Sequence, residues 1–161
     1  MTTSEYNKCV DEQADAVYRF ILKNIRDKDE ARDIVQDTFE KVWIKHEEVP
    51  AEKAKSYLFT AAHHTMIDRI RKKNRQVELE PKHEYMLHSR NDYSDLKEIL
   101  NEALDQLPEI QRSVLLLRDY EGYNYEEIGE ITGLNESQVK VYIYRARVFL
   151  KNYIVSIENV I

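Results

Sequence analysis

The stretch YNYEEIGEITGLNESQVKVYIYRARVFL, residues 123–150, decides the fold of the C-terminal part of this chain. Its apolar residues recur every three or four positions, which predicts two helices at about residues 125–131 and 136–153. Gly133 lies between them and suits the left-handed backbone of a tight turn, because glycine has no Cβ to clash. The side chains predicted to pack the two helices together are Ile128, Ile131, Leu134, Val139 and Ile143. The stretch therefore predicts a helix-turn-helix.

The second of these helices combines a capped start with a cationic face. Asn135, with Gln138 three residues later, predicts a capping box. Residues 135–151 hold four basic residues against one acidic residue. A short helix, a glycine turn and a longer basic helix form the unit that reads the major groove of DNA, although a helical hairpin with solvated basic residues has the same outline. The positions predicted to face base edges are Ser137, Gln138, Lys140, Val141 and Tyr144, with Arg145 and Arg147 near phosphates.

The rest of the chain is also predicted to be helical. Its 161 residues include only three Gly and three Pro, and the helical spacing of apolar residues continues almost throughout. The spacing fails over residues 76–92, around Pro81, which predicts a linker. We therefore predict an all-α protein with two small helical domains, residues 1–75 and 93–161. In the second domain, Pro108 is predicted to open a helix at its first turn.

The N-terminal domain is predicted to hold three helices. An apolar stripe from Val10 to Ile25 predicts the first helix, and Asp27 followed by Glu30 predicts a capping box at the start of the second. Residues 46–52, around Pro50, carry no stripe and are predicted to be a loop. The third helix ends in a basic run over residues 69–75.

Positive charge is concentrated in two places in an acidic chain. The formal net charge is −6, which by itself counts against binding to phosphates. Residues 50–75, however, hold seven basic residues against two acidic ones, and the helix there also carries Tyr57 and Phe59. Aromatic rings stack on unpaired bases while cations follow the backbone, so this mixture suits melted nucleic acid better than closed duplex. The basic residues have a simpler alternative, which is that both basic helix faces are only solvated. Tyr57 and Phe59 also have one, since either ring alone could pack in the core.

The sequence carries no sign of export or of a membrane anchor. Cys9 is the single cysteine, so no disulfide forms within the chain and a reducing compartment is expected. The N-terminus lacks the basic start and apolar run of a signal peptide. No apolar stretch approaches the roughly 18 residues that span a bilayer. We therefore predict a cytoplasmic protein without a membrane span.

Three segments resemble bacterial RNA polymerase sigma factors. DIVQDTF, residues 33–39, followed by Trp43, resembles their D-L-V-Q-E-T-F segment. AKSYLFTAAHHTMIDRIR, residues 54–71, resembles their W-L-x-x-I-A-x-N-x-x-x-D-x-x-R block. Residues 103–150 resemble their fourth conserved region through Leu107-Pro108, Glu127-Ile128, Val139-Lys140 and Arg145-Ala-Arg147. The order of the segments and the small size are similar to the extracytoplasmic-function, or group four, sigma factors, which retain only these two domains.

The resemblance implies a promoter-recognition subunit that has no catalytic group, metal or cofactor. In such proteins the second helix docks on the clamp-helix coiled coil of the largest subunit of core RNA polymerase. This implies docking by the polar side chains Asp33, Gln36 and Asp37, while Phe39 and Trp43 lie on the apolar stripe and are predicted mainly as core. An anti-sigma factor is a further partner that the resemblance implies.

The same resemblance implies where promoter DNA binds. The loop before the third helix and the exposed face of that helix capture a base flipped from the −10 element, and the helix-turn-helix binds the −35 element. The residues assigned in this way to the −10 element are Lys53, Tyr57, Thr60, His64, Asp68, Arg69, Arg71 and Lys72.

Four positions depart from the family pattern. Tyr57 replaces a Trp and offers less stacking area, and His64 replaces an Asn and can donate or accept a hydrogen bond. Tyr142 stands where Arg is frequent, which implies the loss of a phosphate contact. Gly129 replaces an Ala at a tight helix crossing, which implies a stability loss of about 1 kcal/mol.

Two other classes of protein are alternatives. A two-domain regulator that binds duplex promoters without polymerase would explain the helix-turn-helix but would leave residues 33–39 and 57–75 unexplained. A helical metalloenzyme is suggested by Cys9, His46, His63 and His64, but no His-x-x-x-His or Cys-x-x-Cys spacing occurs.

Overall fold

The computed structural model describes residues 1–77 and 95–158, and the regular elements in these ranges are all helices. The N-terminal helices are α1 (Thr3–Ile25), α2 (Lys28–Lys45) and α3 (Ala54–Val77). The C-terminal helices are α4 (Asp95–Gln106), α5 (Glu109–Leu115), α6 (Tyr125–Thr132) and α7 (Glu136–Glu158). The prediction of an all-α fold is confirmed over these ranges. The predicted linker, residues 76–92, lies outside them except for its first two residues, which end α3.

The connections follow local sequence. Two short 3-10 turns, His46–Glu48 and Ala51–Lys53, join α2 to α3 on either side of Pro50, where a loop was predicted. α5 begins directly after Pro108, which is its N-cap, and a π-helical turn, Leu116–Tyr120, follows its last residue. Such a turn holds one more residue than an α-helical turn, and it comes just before the chain turns towards α6.

The start of α2 is capped by one residue rather than by a reciprocal pair. The carboxylate of Asp27 accepts hydrogen bonds from the backbone N–H groups of Asp29 and Glu30, both at 3.1 Å. Glu30 does not return the bond, because its carboxylate pairs with Arg69 of α3. The predicted capping box is therefore wrong in its second half.

The first three helices pack around a core that includes Phe59 but not Trp43, so the prediction for Trp43 is wrong. Phe59 was predicted as part of an aromatic surface with Tyr57, with core packing as the alternative for either ring alone, and it is fully buried, with its ring 5.7 Å from that of Phe20. Trp43 was predicted as core, but it is 42% exposed and stacks on His46 at 4.1 Å. The buried stripe of α2 ends at Val42, and one further residue turns the helix by about 100°. Trp43 therefore points outward.

The helix-turn-helix is confirmed in its turn, its cap and its packing. Gly133 ends α6 with a φ of +80°. The N–H of Gln138 donates to Asn135 Oδ1 at 2.8 Å, and the N–H of Asn135 donates to Gln138 Oε1 at 3.1 Å. The side chains that join α6 to α7 are buried, namely Ile128, Ile131, Val139 and Ile143.

Gly129 is a structural requirement of this crossing. A Cβ added there would lie 2.7 Å from the carbonyl oxygen of Leu134, which is closer than real Cβ contacts. The expected stability loss from having Gly in place of Ala is therefore wrong, since an Ala at this position would push α6 away from the start of the next helix.

The two halves pack against each other, which the sequence did not predict. α6 lies on α3, and α1 contacts α4 and α5. One cluster of buried side chains runs through both halves, from Val17 and Phe59 to Val114 and Ile128. The two groups of helices therefore form a single body.

Candidate nucleic-acid interface

An open cavity of about 480 Å³ lies between α2 and α3. Three residues predicted to bind the −10 element, Tyr57, Thr60 and His64, line it together. Their spacing of three and four places them on one face of α3, one turn above another. The volume falls in the range of about 300–1,000 Å³ that is typical of small-ligand sites.

The cavity combines an aromatic ring with cations. Lys41 and Lys45 of α2 contribute to the wall opposite Tyr57. The ammonium group of Lys41 donates to the hydroxyl of Thr65 at 3.2 Å, which holds it at the edge of the cavity. The hydroxyl of Thr60 donates to the carbonyl of Ser56 at 2.8 Å. A ring for a base beside ammonium groups for its phosphate is the combination that holds single strands.

Sequence reasoning missed the contribution of α2 to this cavity. Lys41, Ile44 and Lys45 line it, and Ile44 is 79% exposed. The available signal was the spacing of Lys41 and Lys45, which puts two cations on one face of α2 close after the docking segment. This spacing indicates a DNA-binding cavity only once the position of α3 opposite the two lysines is known.

The other residues predicted for the −10 element do not meet at this cavity. Lys53 is exposed in the turn before α3, and Lys72 is exposed on the last turns of that helix. Asp68 and Arg71 line a second cleft of about 710 Å³, whose opposite wall includes Pro108 and Glu109. They form a charged surface that continues along α3 from the cavity.

Arg69, which is predicted to bind DNA, forms an ion pair with Asp37, which is predicted to dock on polymerase. One nitrogen of its guanidinium pairs with the carboxylate of Asp37, and the other lies 3.3 Å from the carboxylate of Glu30. Asp33 and Gln36, the other two residues predicted to dock on polymerase, are exposed on α2.

The predicted −35 surface is the outer face of α7. The buried stripe of this helix consists of Val139, Ile143 and Ala146. At about 100° per residue, Val141 and Tyr144 point to the opposite side, where they are 44% and 69% exposed. The predicted contact residues are all exposed, namely Ser137, Gln138, Lys140, Val141, Tyr144, Arg145 and Arg147.

Two cations of α7 already have acidic partners within the chain. Lys140 lies 3.3 Å from Glu136, one turn away on the same helix. Arg147 binds Asp119 through two nitrogens, at 3.2 Å and 2.5 Å. The guanidinium of Arg145 lies 6.0 Å from the centre of the ring of Tyr142, the residue that replaces the frequent Arg of the family.

His63 and His64 have different environments although they are adjacent. Their ring centres are 6.2 Å apart. His64 is exposed at the cavity, whereas His63 is buried and neither ring nitrogen has a hydrogen-bond partner. Burial, with a smaller contribution from His64, lowers the pKa of His63 to about 4. Among the described residues no group of three His, Cys, Asp or Glu side chains could hold a metal ion.

Within the described ranges, no helix combines the length and apolar character that crossing a bilayer requires. The outer surfaces of the helices instead carry the charged residues described above.

Comparison with known proteins places the chain in one family. The model of sigma-70 region 2 matches residues 9–76, and the model of sigma-70 region 4 matches residues 97–150. The chain is 34% identical over 141 residues to RNA polymerase sigma factor SigV of Bacillus subtilis, covering 86% of this chain and 84% of that protein. It is 31% identical over 140 residues to ECF RNA polymerase sigma factor SigM of the same species, covering 84% of this chain and 86% of that protein.

A solved structure shares the arrangement of the helices. The sigma factor RpoE from Bartonella quintana, crystallised with the anti-sigma factor NepR, superposes with a TM-score of 0.81 at 25% identity, covering 94% of this chain and 98% of that one. Proteins of this kind direct RNA polymerase to promoters and are not enzymes. This chain therefore belongs to the sigma-70 family and is an RNA polymerase sigma factor of the extracytoplasmic-function type.

Proposed function

We propose that this sigma factor reads the −35 element as duplex through α7 and holds the melted −10 strand at the cavity between α2 and α3. The observation that carries the proposal is the convergence of Tyr57, Thr60 and His64 on that cavity, opposite Lys41 and Lys45. A ring and two cations around a space of about 480 Å³ offer a flipped nucleotide a place for its base and for its phosphate.

Promoter opening by this site needs no catalytic group. Unstacking a base costs a few kcal/mol, and stacking a base on an aromatic side chain contributes about 1–3 kcal/mol. Tyr57 therefore offsets a large part of the cost of one flipped base. Lys41 and Lys45 contribute to DNA affinity by contacting phosphates of the DNA backbone, and this contribution weakens as the salt concentration rises.

Reading of the −35 element is assigned to the exposed face of α7. Val141 and Tyr144 are apolar or aromatic and exposed at the centre of that face, which suits contact with thymine methyl groups. Lys140 and Arg145 flank them and reach phosphates or guanine edges. Arg147 is held by Asp119 and therefore contacts a phosphate only from the edge of the face.

Docking on core polymerase is assigned to α2. Asp33 and Gln36 are exposed there and offer acceptors to basic groups. Asp37 already pairs with Arg69 and has less to offer a partner. An anti-sigma factor is a further proposed partner, because the similar RpoE structure was determined with such a protein bound.

Binding to core polymerase separates this proposal from a regulator that acts on duplex DNA alone. The purified chain is mixed with core polymerase and the complex is measured by size-exclusion chromatography. We expect a complex that Asp33→Arg weakens at least tenfold, while Asp11→Arg, on the exposed side of α1, does not. No complex, together with tight binding to promoter duplex by the chain alone, would favour the regulator.

A further inference from the structure

The side-chain amide of Gln138 has its oxygen fixed and its nitrogen free for other contacts. The backbone N–H of Asn135 donates to Gln138 Oε1 at 3.1 Å, which satisfies a backbone group at the start of α7. A backbone N–H only donates, so the atom that accepts from it is the amide oxygen and not the amide nitrogen. Nε2 takes no part in this cap, and Gln138 is exposed. The side chain therefore offers two N–H donors on the outside of the helix.

Two other helices in the described ranges begin with the same reciprocal cap, and both use glutamate where α7 uses glutamine. Glu127 accepts from the N–H of Asn124 at 3.1 Å in α6, and Glu5 accepts from the N–H of Thr2 at 3.0 Å in α1. The two hydrogen bonds of the α6 cap, 3.1 Å and 2.8 Å, have the same lengths as those of the α7 cap. A carboxylate also interacts favourably with the positive end of a helix dipole. The cap alone therefore does not explain the glutamine of α7.

Gln138 lies on the side of α7 that is assigned to the −35 element. It precedes Val141 by three residues and Arg145 by seven, so the three side chains follow one another along the helix. All three are exposed, whereas the neighbouring Val139 is buried. In helix-turn-helix proteins the N-terminal residues of the second helix contact base edges in the major groove. Gln138, in the first turn of α7, is therefore placed to reach a base.

The fixed oxygen limits which bases Gln138 can read. A free glutamine pairs with adenine through both atoms of its amide, because the oxygen accepts from N6 and the nitrogen donates to N7. With its oxygen directed at Asn135, Gln138 offers the groove only donors. Guanine and thymine present acceptors and no amino group in the major groove, whereas adenine and cytosine both present an amino group there. The donors of Gln138 therefore favour guanine and thymine.

We propose that Gln138 reads one base of the −35 element as guanine or thymine through Nε2, while its oxygen caps α7. This inference rests on the proposed function, because it requires α7 to lie in the major groove of the −35 element. Every base pair holds one base of each kind, so Gln138 distinguishes the two orientations of a pair and tolerates an exchange of G·C for T·A. A glutamate in its place would have no donor and would repel DNA phosphates, which explains why this cap alone of the three uses glutamine.

The variant Gln138→Glu separates the two roles of the side chain. One carboxylate oxygen can still accept from Asn135, as Glu127 accepts from Asn124 in α6, so the midpoint of thermal unfolding should stay the same or rise. The other oxygen accepts from the amino group of cytosine or adenine, so the base preference should reverse. Gln138→Ala removes both roles and should lower the midpoint and abolish the preference. Glu127→Gln is the matched control, because it exchanges the same two side chains in the cap of α6.

Selection from a pool of randomised duplexes measures the base preference, with each variant bound to core polymerase as the full chain. We expect an enriched upstream motif with guanine or thymine at one position for the wild type and for Glu127→Gln. In Gln138→Glu this position should change to cytosine or adenine, with a preference of about fivefold or more, and the rest of the motif should be unchanged. Comparing bases at one position removes the uniform loss of affinity that the added negative charge causes.

Three results would overturn the inference. The same motif for the wild type and Gln138→Glu, with only a uniform loss of affinity, would mean that the glutamine merely avoids repelling phosphates. Adenine in the wild-type motif, at the position that Gln138→Glu alters, would mean that the amide oxygen leaves the cap to bind DNA. A polymerase complex that forms but enriches no upstream motif would contradict the reading of the −35 element by α7, and so would overturn that part of the proposed function as well.

Discussion

Arg69 of α3 and Asp37 of α2 form an ion pair that ties the helix assigned to DNA to the helix assigned to polymerase. Glu30, one turn into α2, lies 3.3 Å from the same guanidinium. The side chains are 30%, 40% and 33% exposed for Arg69, Asp37 and Glu30. Arg69 therefore positions α3 against α2, in addition to any contact with the DNA backbone.

Loss of this pair should lower stability modestly. Because all three groups are partly exposed, solvent screening limits the contribution to about 1 kcal/mol. We expect Arg69→Ala to lower the free energy of unfolding by about that amount in urea titrations. Arg32→Ala is the control, since Arg32 pairs only with Asp29 on its own helix at 3.8 Å and both are well exposed. Equal effects of the two variants would contradict a bridging role for Arg69.

The pair also decides which variant tests docking. Asp37→Arg would bring a second cation against Arg69, so a loss of polymerase binding would mix a docking effect with a structural one. Asp33 is exposed on the same helix. Asp33→Arg is therefore the sharper probe of the docking face.

Gly129→Ala should destabilise the helix-turn-helix although Ala favours helices. The gain in helix propensity is about 1 kcal/mol, but the added Cβ would lie 2.7 Å from the backbone oxygen of Leu134. Crowding of this kind costs about 1–3 kcal/mol. We expect a lower midpoint of thermal unfolding for Gly129→Ala, with Glu130→Ala, at an exposed position of α6, unchanged or raised. A raised midpoint for Gly129→Ala would show that the loop before α7 gives way easily.

Stability should fall in mild acid through His63. Its pKa is lowered to about 4 by burial, so the unfolded chain binds a proton below about pH 6.5 that the folded chain does not. The stability contributed by neutral His63 is therefore present above pH 6.5 and is lost as the pH falls towards 4. Between pH 7.5 and 5 this loss amounts to about 2 kcal/mol.

The variant His63→Leu isolates the contribution of His63 to the loss of stability in acid, because it removes the titrating imidazole. Between pH 7.5 and 5 the free energy of unfolding should fall in both proteins, and the fall should be about 2 kcal/mol smaller in His63→Leu than in the wild type. His64, Asp68, Arg71 and Glu109 line the same cleft as His63 and are unchanged in both proteins, so their contributions to stability largely cancel in the comparison. Parallel pH profiles for wild type and His63→Leu would contradict the assignment.

Lys140→Ala should weaken −35 binding and reduce its dependence on salt. Lys140 is exposed on α7, and the nearby Glu136 is on the same helix, so the ammonium group is free to move to DNA. If it contacts a phosphate, affinity for −35 duplex falls uniformly across sequences and the slope of log affinity against log salt drops by about 1. Lys97→Ala, on the exposed side of α4, should change neither. An altered base preference would instead assign Lys140 to a base edge.

How far the sequence predicted the structure depends on the range of the interactions involved. The helix-turn-helix was predictable, because Gly133, Asn135 and Gln138 act on residues within one turn of themselves. Trp43 was wrongly assigned to the core, and Phe59 was left open between surface and core, since the rotation of a helix with apolar residues on more than one side is decided by its packing. The need for glycine at position 129 becomes evident only from the position of the Leu134 carbonyl oxygen, which an added Cβ would meet.

The site was predictable only in part for the same reason. Tyr57, Thr60 and His64 share a face of α3, which their spacing indicates. The contribution of Lys41 and Lys45 depends on how α2 lies against α3, and no local pattern carries that. The contact between Tyr123 and Phe59 joins residues more than sixty positions apart, and the sequence offered no sign of it.

The most direct test of the account is promoter opening by the complex of this chain with core polymerase, measured by permanganate reactivity of unpaired thymines in the −10 element. We predict reactivity that requires the chain, is lost or reduced at least tenfold in Tyr57→Ala and is largely retained in Tyr57→Phe, because the ring rather than the hydroxyl stacks on the base. Reactivity that is equal in Tyr57→Ala and wild type would contradict the assignment of the cavity between α2 and α3 to the melted strand.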